Sequence, residues 1–213
     1  MKENHIVVNK TARFYTSGEL TEHTRHVWIV LHGWGMNAKD FLASFEPLQT
    51  ADSFFIAPEA LNRYYLKGNG SEVGATWMTR EDRLNEIKDY VNYLTDIYEF
   101  FDLEKFANAR ITALGFSQGS ATVTRWVNAA DKKIDTLIVF AGEVAPELLP
   151  LHETSGLKRT KNIFICGDAD EFFTAPILAK MRSAYTELNF AEFEFKGRHE
   201  INIDVLKKAI SRF

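Results

Sequence analysis

Short apolar runs and longer amphipathic segments alternate along the chain. The run HVWIVLHG is apolar on both faces, as a buried strand is, and five further runs predict strands: SFFIAPEA, RITALGF, DTLIVFAG, NIFICG and AEFEFK. From residue 80 to residue 101 apolar side chains recur at helical spacing, which predicts a long amphipathic helix. Further helices are predicted from Asn37 to about Leu48, from Ser117 to about Asn128, and over 174–189 and 203–213.

This alternation predicts an α/β fold, with a mostly parallel central sheet and helices on both faces, in a single domain over 1–213. Two segments depart from it. Near the N-terminus, HIVVN and ARFYTSG predict a short antiparallel hairpin over 5–16. Residues 59–79 form a long connection rich in Gly, Asn, Tyr and Trp, and long connections in compact domains are often functional.

Composition restricts the class of protein. Hydrophobic residues make up 46% and charged residues 25% of the 213 residues, which is typical of a soluble globular protein. The net charge of −4, without a basic block, disfavours nucleic acid as a partner. Cys166 is the only cysteine, so no intramolecular disulfide forms, and no apolar run has the length of a signal peptide core or a membrane span. We therefore expect a cytoplasmic protein; the sequence does not indicate an oligomeric state.

The most informative stretch is ARITALGFSQGSATVTRW, residues 109–126. An apolar strand runs into Gly115-Phe116-Ser117-Gln118-Gly119 and then into a helix, which is the context of a nucleophile elbow. The strained turn needs small neighbours two positions from the serine, and the two glycines provide them. The turn would lift the Ser117 hydroxyl above the carboxyl edge of the sheet. The alternative is a glycine-rich turn in which Ser117 caps the helix.

A serine needs a base to act as a nucleophile, and in folds with this elbow the acid and then the histidine follow the serine along the chain. Two histidines lie after Ser117. His152 is in a loop with no strand ending beside it, whereas His199 follows the strand AEFEFK. A loop at the carboxyl end of a strand can reach the serine, so His199 is the candidate base. The alternative is a histidine on a surface loop.

The candidate acids also follow strands. Asp168, Asp170 and Glu171 come after NIFICG, and Glu143 comes after DTLIVFAG. A carboxylate beside His199 would fix the tautomer of the imidazole and stabilise its charged form. The remaining carboxylates would be solvated, and the residues alone leave all four open.

An oxyanion hole needs a second amide besides that of Gln118, which lies at the N-terminus of the predicted helix. The segment IVLHGWGMN leads from a buried strand into a glycine-rich turn, and the amide of Trp34 is the candidate. The alternative is an ordinary strand-to-helix turn. His32 precedes Ser117 along the chain, so we interpret it as a structural residue that shapes this loop.

In order along the chain, LHGWG, GFSQGS, GDADEFF and GRHEI resemble the blocks of the phospholipase/carboxylesterase family of α/β-hydrolases, which includes acyl-protein thioesterases and small bacterial carboxylesterases. The resemblance extends over about residues 27–213. It implies an α/β-hydrolase fold, a triad of Ser117, Asp170 and His199, and an oxyanion hole formed by the amides of Trp34 and Gln118. It also implies an enzyme that needs neither a cofactor nor a metal. The loop over 141–160 is too short for a large lid domain.

Two positions depart from the family pattern. Arg198 stands where a glycine is frequent. EFFTAP stands where a Val-Pro pair usually follows the acid, and its proline comes only at Pro176. The second departure concerns the surroundings of Asp170 and the pocket wall beside it.

These features predict a serine hydrolase that cleaves small carboxylic esters or thioesters through an acyl-enzyme. Large side chains near the predicted carboxyl edge favour short or aromatic acyl groups, and the pocket candidates are Met36, Tyr64, Tyr65, Trp77, Met78, Phe172 and Phe173. A place at the edge of the core is the alternative for each of them. Two other functions suit the same fold: a hydrolase of another class, such as a peptidase or a carbon–carbon bond hydrolase, and a binding protein without activity.

Overall fold

The computed structural model describes residues 1–68, 70–150, 152 and 155–212 of the chain. These residues contain nine strands: β1 (Phe14–Ser17), β2 (His26–Leu31), β3 (Ser53–Pro58), β4 (Asn62–Tyr65), β5 (Val73–Thr76), β6 (Arg110–Phe116), β7 (Thr136–Phe140), β8 (Lys161–Gly167) and β9 (Ala191–Phe195). They also contain five α-helices: α1 (Ala38–Ala43), α2 (Arg83–Phe100), α3 (Gln118–Ala129), α4 (Ala175–Tyr185) and α5 (Ile203–Ile210). All six strands predicted from the apolar runs are confirmed.

Seven strands form one sheet in the order β1-β3-β2-β6-β7-β8-β9. Strand β1 is antiparallel to β3 at one edge, and every other neighbouring pair is parallel. The prediction of a mostly parallel sheet is therefore confirmed. As a result, the carboxyl ends of β2, β6, β8 and β9 lie at the same edge, and the loops that follow them carry the predicted site residues.

Both faces of the sheet are buried. Along β2, Val27, Ile29 and Leu31 belong to the apolar cluster on one face, and Trp28 and Val30 to the cluster on the other. Helices α2, α3 and α4 cover the first face, and α1 and α5 cover the second. In the described part of the chain, no helix combines the length and the apolar character needed to cross a membrane.

The predicted N-terminal hairpin over 5–16 is wrong in its first half. The run HIVVN forms no strand, and its side chains Ile6, Val7 and Val8 are exposed. The second run contributes β1, which pairs antiparallel with β3 and not with the segment before it. Apolar β-branched residues favour a strand only where a partner is available, and here the partner is distant in sequence.

The predicted helices are present with shifted ends. The side chain of Asn37 caps α1, as predicted, by accepting a hydrogen bond from the N–H of Asp40 at 2.8 Å. The helix ends at Ala43, and a separate 3₁₀ turn follows over Glu46–Leu48, with Pro47 as its second residue. Helix α4 is shorter than predicted and is followed by a 3₁₀ turn over Thr186–Leu188. Helix α5 ends at Ile210, and the last predicted helical residue, Phe213, lies outside the described residues.

The long 59–79 connection contains a hairpin that the sequence pattern does not reveal. Strands β4 and β5 pair with each other in an antiparallel two-stranded sheet. The hairpin also binds the loop after β2, since the N–H of Gly35 donates to the Ala75 carbonyl at 2.9 Å and the N–H of Ala75 donates to the Met36 carbonyl at 3.0 Å. The connection therefore supports the loop in which Trp34 lies.

Candidate active site

Ser117 lies on a strained turn between β6 and α3. Its φ of 53° and ψ of −119° are unusual for a residue with a side chain. A Cβ on Gly115 would lie 2.2 Å from the Gly119 carbonyl oxygen, and a Cβ on Gly119 would lie 2.3 Å from the Leu31 carbonyl oxygen, so both positions require glycine. The Ser117 side chain makes no capping hydrogen bond to α3, all of whose residues are described. The turn thus differs from the helix-cap alternative and has the geometry of a nucleophile elbow.

His199 and Asp170 meet at the carboxyl ends of β8 and β9. Nδ1 of His199 lies 2.8 Å from Oδ2 of Asp170, and the Asp170 side chain is fully buried while His199 is 15% exposed. The other carboxylate oxygen accepts hydrogen bonds from the N–H groups of Phe172 and Phe173, at 2.9 and 3.2 Å. An ionised Asp170 draws the ring proton to Nδ1, which leaves Nε2 of His199 free to accept a proton.

A buried thiol also contacts the Asp170 carboxylate. The Sγ of Cys166 donates to Oδ2 of Asp170 at 3.8 Å. Burial, together with the charge of Asp170, raises the pKa of the Cys166 thiol to about 12, so the thiol keeps its proton as a donor. Cys166 therefore supports the carboxylate and is not itself an activated nucleophile.

The three other candidate acids occupy different surroundings. Asp168 is exposed and binds Nζ of Lys196 at 2.7 Å, and this hydrogen bond lowers the pKa of the Asp168 carboxyl. Glu143 and Glu171 are exposed. Among the four, Asp170 alone is buried and in contact with His199 in the described part of the chain. His152, the other histidine after Ser117, is exposed.

Three phenylalanine rings surround the His199 imidazole. The ring centroids of Phe172, Phe116 and Phe173 lie 4.7, 4.9 and 6.2 Å from that of the imidazole. The departure EFFTAP from the family pattern thus has two effects: its phenylalanines donate backbone hydrogen bonds to Asp170 and place their rings against His199. The sequence pattern alone gave no sign of the second effect.

The loop after β2 lies against the elbow. A Cβ on Gly33 would lie 3.2 Å from the Cβ of Ser117, so the segment that leads to Trp34 runs directly beside the serine. The Trp34 indole is 63% exposed, and Gly35 turns the chain with a φ of 75°. On the other side of Ser117, Gln118 is the first residue of α3, where a backbone N–H has no partner within the helix. Gly33, in the loop after β2, and Gln118, at the start of α3, therefore both neighbour the serine.

The Gln118 side chain has a structural role that the sequence did not indicate. Its Oε1 accepts a hydrogen bond from the N–H of Trp77 at 3.1 Å. Its Nε2 donates to Oγ1 of Thr76 at 3.0 Å and to the Met78 carbonyl at 2.9 Å. The residue that follows the elbow serine thereby holds the end of β5 against the start of α3.

Arg125 also contacts the segment of residues 76–78, through Met78. Arg125 is 7% exposed, and its guanidinium donates to Oε1 of Glu147 at 2.5 Å, to the Tyr90 hydroxyl at 3.2 Å and to Sδ of Met78 at 3.6 Å. Partial burial opposes ionisation of Glu147, but the hydrogen bonds and charges of Arg125 and Arg83 outweigh it and lower the pKa of Glu147 to about 2. Glu147 is therefore ionised at neutral pH and keeps Arg125 in place.

His32 lies beneath the loop that carries Trp34. Its Nδ1 lies 2.7 Å from the Gly33 carbonyl oxygen, and its Nε2 accepts a hydrogen bond from the N–H of Ala60 at 3.1 Å. Burial lowers the pKa of His32, which favours the neutral imidazole that these two contacts require. The Trp77 ring lies 5.2 Å from that of His32, tilted by 34°, and Trp77 donates its indole N–H to the His32 carbonyl at 2.8 Å.

The predicted pocket residues lie in different surroundings in the structure. Trp77 is 1% exposed and lies in the hydrophobic core. Met36 and Met78 are partly buried against the two apolar clusters. Tyr64 packs on the Trp34 indole with a ring distance of 5.7 Å, and Tyr65 is 67% exposed. Phe172 and Phe173, by contrast, contact the imidazole directly.

A mostly parallel sheet with an antiparallel edge strand, helices on both faces and a serine elbow at a central strand defines an α/β-hydrolase fold.

No protein-family model and no curated protein matches the sequence. Solved structures do match. An acyl-protein thioesterase 2 from Zea mays is 14% identical, with a TM-score of 0.71 over 95% of this chain and 97% of that one. A carboxylesterase from Bacillus cereus is 15% identical, with a TM-score of 0.67 over 96% and 94%. A phospholipase/carboxylesterase from Dyadobacter fermentans is 16% identical, with a TM-score of 0.64 over 95% and 96%.

Proposed function

We propose that the chain is a serine hydrolase that cleaves carboxylic esters or thioesters of small molecules. The observation that carries this proposal is the 2.8 Å contact between His199 and the buried carboxylate of Asp170, at the sheet edge where the strained Ser117 turn ends. Strain of this kind is retained in proteins chiefly at functional sites. The esterase and thioesterase names of the structurally similar proteins support the same class of reaction.

The reaction needs only groups of the chain and water. Nε2 of His199 takes the proton from the Ser117 hydroxyl, and Oγ attacks the carbonyl carbon of the ester. The carbonyl oxygen becomes an oxyanion that accepts hydrogen bonds from the N–H groups of Trp34 and Gln118. His199 then passes the proton to the leaving oxygen or sulfur, and the acyl group remains on Ser117. Water, activated by the same imidazole, releases the acid, and Asp170 stabilises the charged imidazole in both steps.

Labelling with a fluorophosphonate, followed by a substrate panel, tests the proposal. We expect the probe to label Ser117. We also expect hydrolysis of p-nitrophenyl acetate and butyrate to exceed that of the octanoate and palmitate, because Trp34, with the Tyr64 ring packed on it, follows Gly33 beside the serine. An unlabelled serine would favour a binding protein. Labelling combined with cleavage of peptides, but not of esters or thioesters, would favour a hydrolase of another class. Measurements in a cytoplasmic fraction would test the expected location.

Replacement of Gln118 by methionine is expected to lower kcat/KM for p-nitrophenyl acetate by about 10- to 100-fold, since small displacements of an oxyanion donor have effects of this size. The substitution keeps the backbone N–H but removes the side-chain hydrogen bonds to residues 76–78. The matched control is Gln49→Met, which also removes side-chain hydrogen bonds but lies near the amino end of β3. The control should lower Tm without lowering kcat. Equal activity of the two variants would contradict a role for the Gln118 side chain at the site.

A further inference from the structure

Phe172 is a large apolar residue that lies at the candidate site and is also exposed. Its ring lies 4.7 Å from the His199 imidazole, at an interplanar angle of 63°, yet the residue is 60% exposed. The hydrogen bond from its N–H to Oδ1 of Asp170, at 2.9 Å, holds the backbone in place. An apolar ring held at the site and open to solvent is available to contact a substrate.

The other two rings at the imidazole are placed differently. Phe116 is 5% exposed at the end of β6. Phe173 is half-buried, packs against the apolar core and stacks on the imidazole at an interplanar angle of 14°. Both rings are therefore supports of His199, and Phe172 is the one that offers a free surface.

The chemistry of the proposed reaction decides which part of a substrate lies beside Phe172. The oxyanion faces the amides of Trp34 and Gln118, on the β2 side of Ser117. The leaving oxygen or sulfur must lie within hydrogen-bond reach of Nε2 of His199, which protonates it. Strands β2 and β8 lie on opposite sides of β6 in the sheet, so the loop of Phe172 borders the leaving-group side.

We propose that Phe172 is a specificity-determining residue that binds the leaving group, so that the preferred substrates are esters or thioesters of apolar, above all aromatic, alcohols or thiols. This inference rests on the proposed serine hydrolase function. The bond that breaks joins the carbonyl carbon to the leaving atom, and the proton from the Ser117 hydroxyl reaches that atom through His199. While this bond breaks, the alcohol or thiol part of the substrate lies against the Phe172 ring, and apolar and aromatic contact stabilises it there.

The test keeps the acyl group constant and varies the alcohol. For Phe172→Ala relative to wild type, we expect kcat/KM to fall about tenfold or more for benzyl acetate and less than threefold for methyl acetate, because only the aromatic alcohol loses its contact. Phe172→Leu keeps an apolar side chain, so its kcat/KM for benzyl acetate should lie between those of wild type and Phe172→Ala. This variant also serves as a check in case the alanine variant misfolds. The matched control is Phe100→Ala: Phe100 is 72% exposed and packs on Phe101 and on Phe14 of the edge strand β1, three strands from β6. It should change neither rate.

Acyl transfer provides an independent measurement. With p-nitrophenyl acetate as donor, an added alcohol attacks the acyl-enzyme from the position that a leaving group vacates. Wild type should transfer acetyl to benzyl alcohol in preference to methanol, and Phe172→Ala should lose most of this preference.

Three results would overturn the inference. An equal loss for benzyl and methyl acetate would mean that Phe172 only positions His199. A changed profile across acyl chains, with no change across alcohols, would place the ring on the acyl side. Wild type that neither reacts with a fluorophosphonate nor hydrolyses any ester would instead remove the proposed function itself, and with it this inference.

Discussion

Ser117→Ala is expected to lower kcat for ester hydrolysis by about 10³-fold or more without unfolding the protein, because a serine, a histidine and an acid that act together lose their effect together. The substitution removes one hydroxyl, and the Ser117 side chain makes no capping hydrogen bond to α3. Circular dichroism and Tm should therefore match those of the wild type. Fluorophosphonate labelling should disappear with the activity.

A second substitution at the same position separates chemistry from stability. Ser117→Gly is expected to be as inactive as Ser117→Ala but to have a Tm a few degrees higher, since glycine adopts the φ of 53° without strain. A folded Ser117→Ala variant with near wild-type activity would exclude Ser117 as the nucleophile.

Asp170→Asn is expected to have the next largest effect, a loss of about 10³-fold in kcat with little change in KM. The amide preserves the size of the side chain and can still accept hydrogen bonds from the N–H groups of Phe172 and Phe173. However, an amide NH₂ directed at Nδ1 of His199 favours the wrong ring tautomer and cannot stabilise the charged imidazole. The effect should be visible in kcat measured over a pH series, with Tm as the check on folding.

Asp168→Asn and Glu143→Gln are the matched controls for this prediction. Both remove one carboxylate charge from an exposed position after a strand of the same sheet, and Asp168 is bound to Lys196. Each should retain activity within about threefold, because neither contacts His199. An inactive Glu143→Gln variant beside an active Asp170→Asn variant would move the acid to the loop after β7.

The strands of the sheet could be predicted because their signal is local. Runs such as HVWIVLHG must bury both faces, and a run of this kind followed by a helical segment leads to a parallel sheet. The elbow could be predicted for the same reason: the small residues that a strained turn needs lie within two positions of Ser117. In two places the local pattern did not show whether a segment has a pairing partner. Ile6, Val7 and Val8 have strand propensity but form no strand. Strands β4 and β5 lack a clear apolar pattern, and they are held by pairing with each other and by hydrogen bonds to the loop after β2.

The sequence by itself determined the class of fold, the position of the serine turn and a short set of candidates for its partners, because periodicity and turn chemistry act over a few neighbouring residues. The residues alone left four carboxylates open and the resemblance implied Asp170; the tertiary structure brings Asp170 into contact with His199, across 29 residues of sequence that leave no mark on the local pattern. It likewise placed Trp77 in the core, turned the Gln118 side chain toward residues 76–78 and set Phe172 against the imidazole. Each of these depends on how the loops at one sheet edge pack together, and that packing is a property of the assembled sheet.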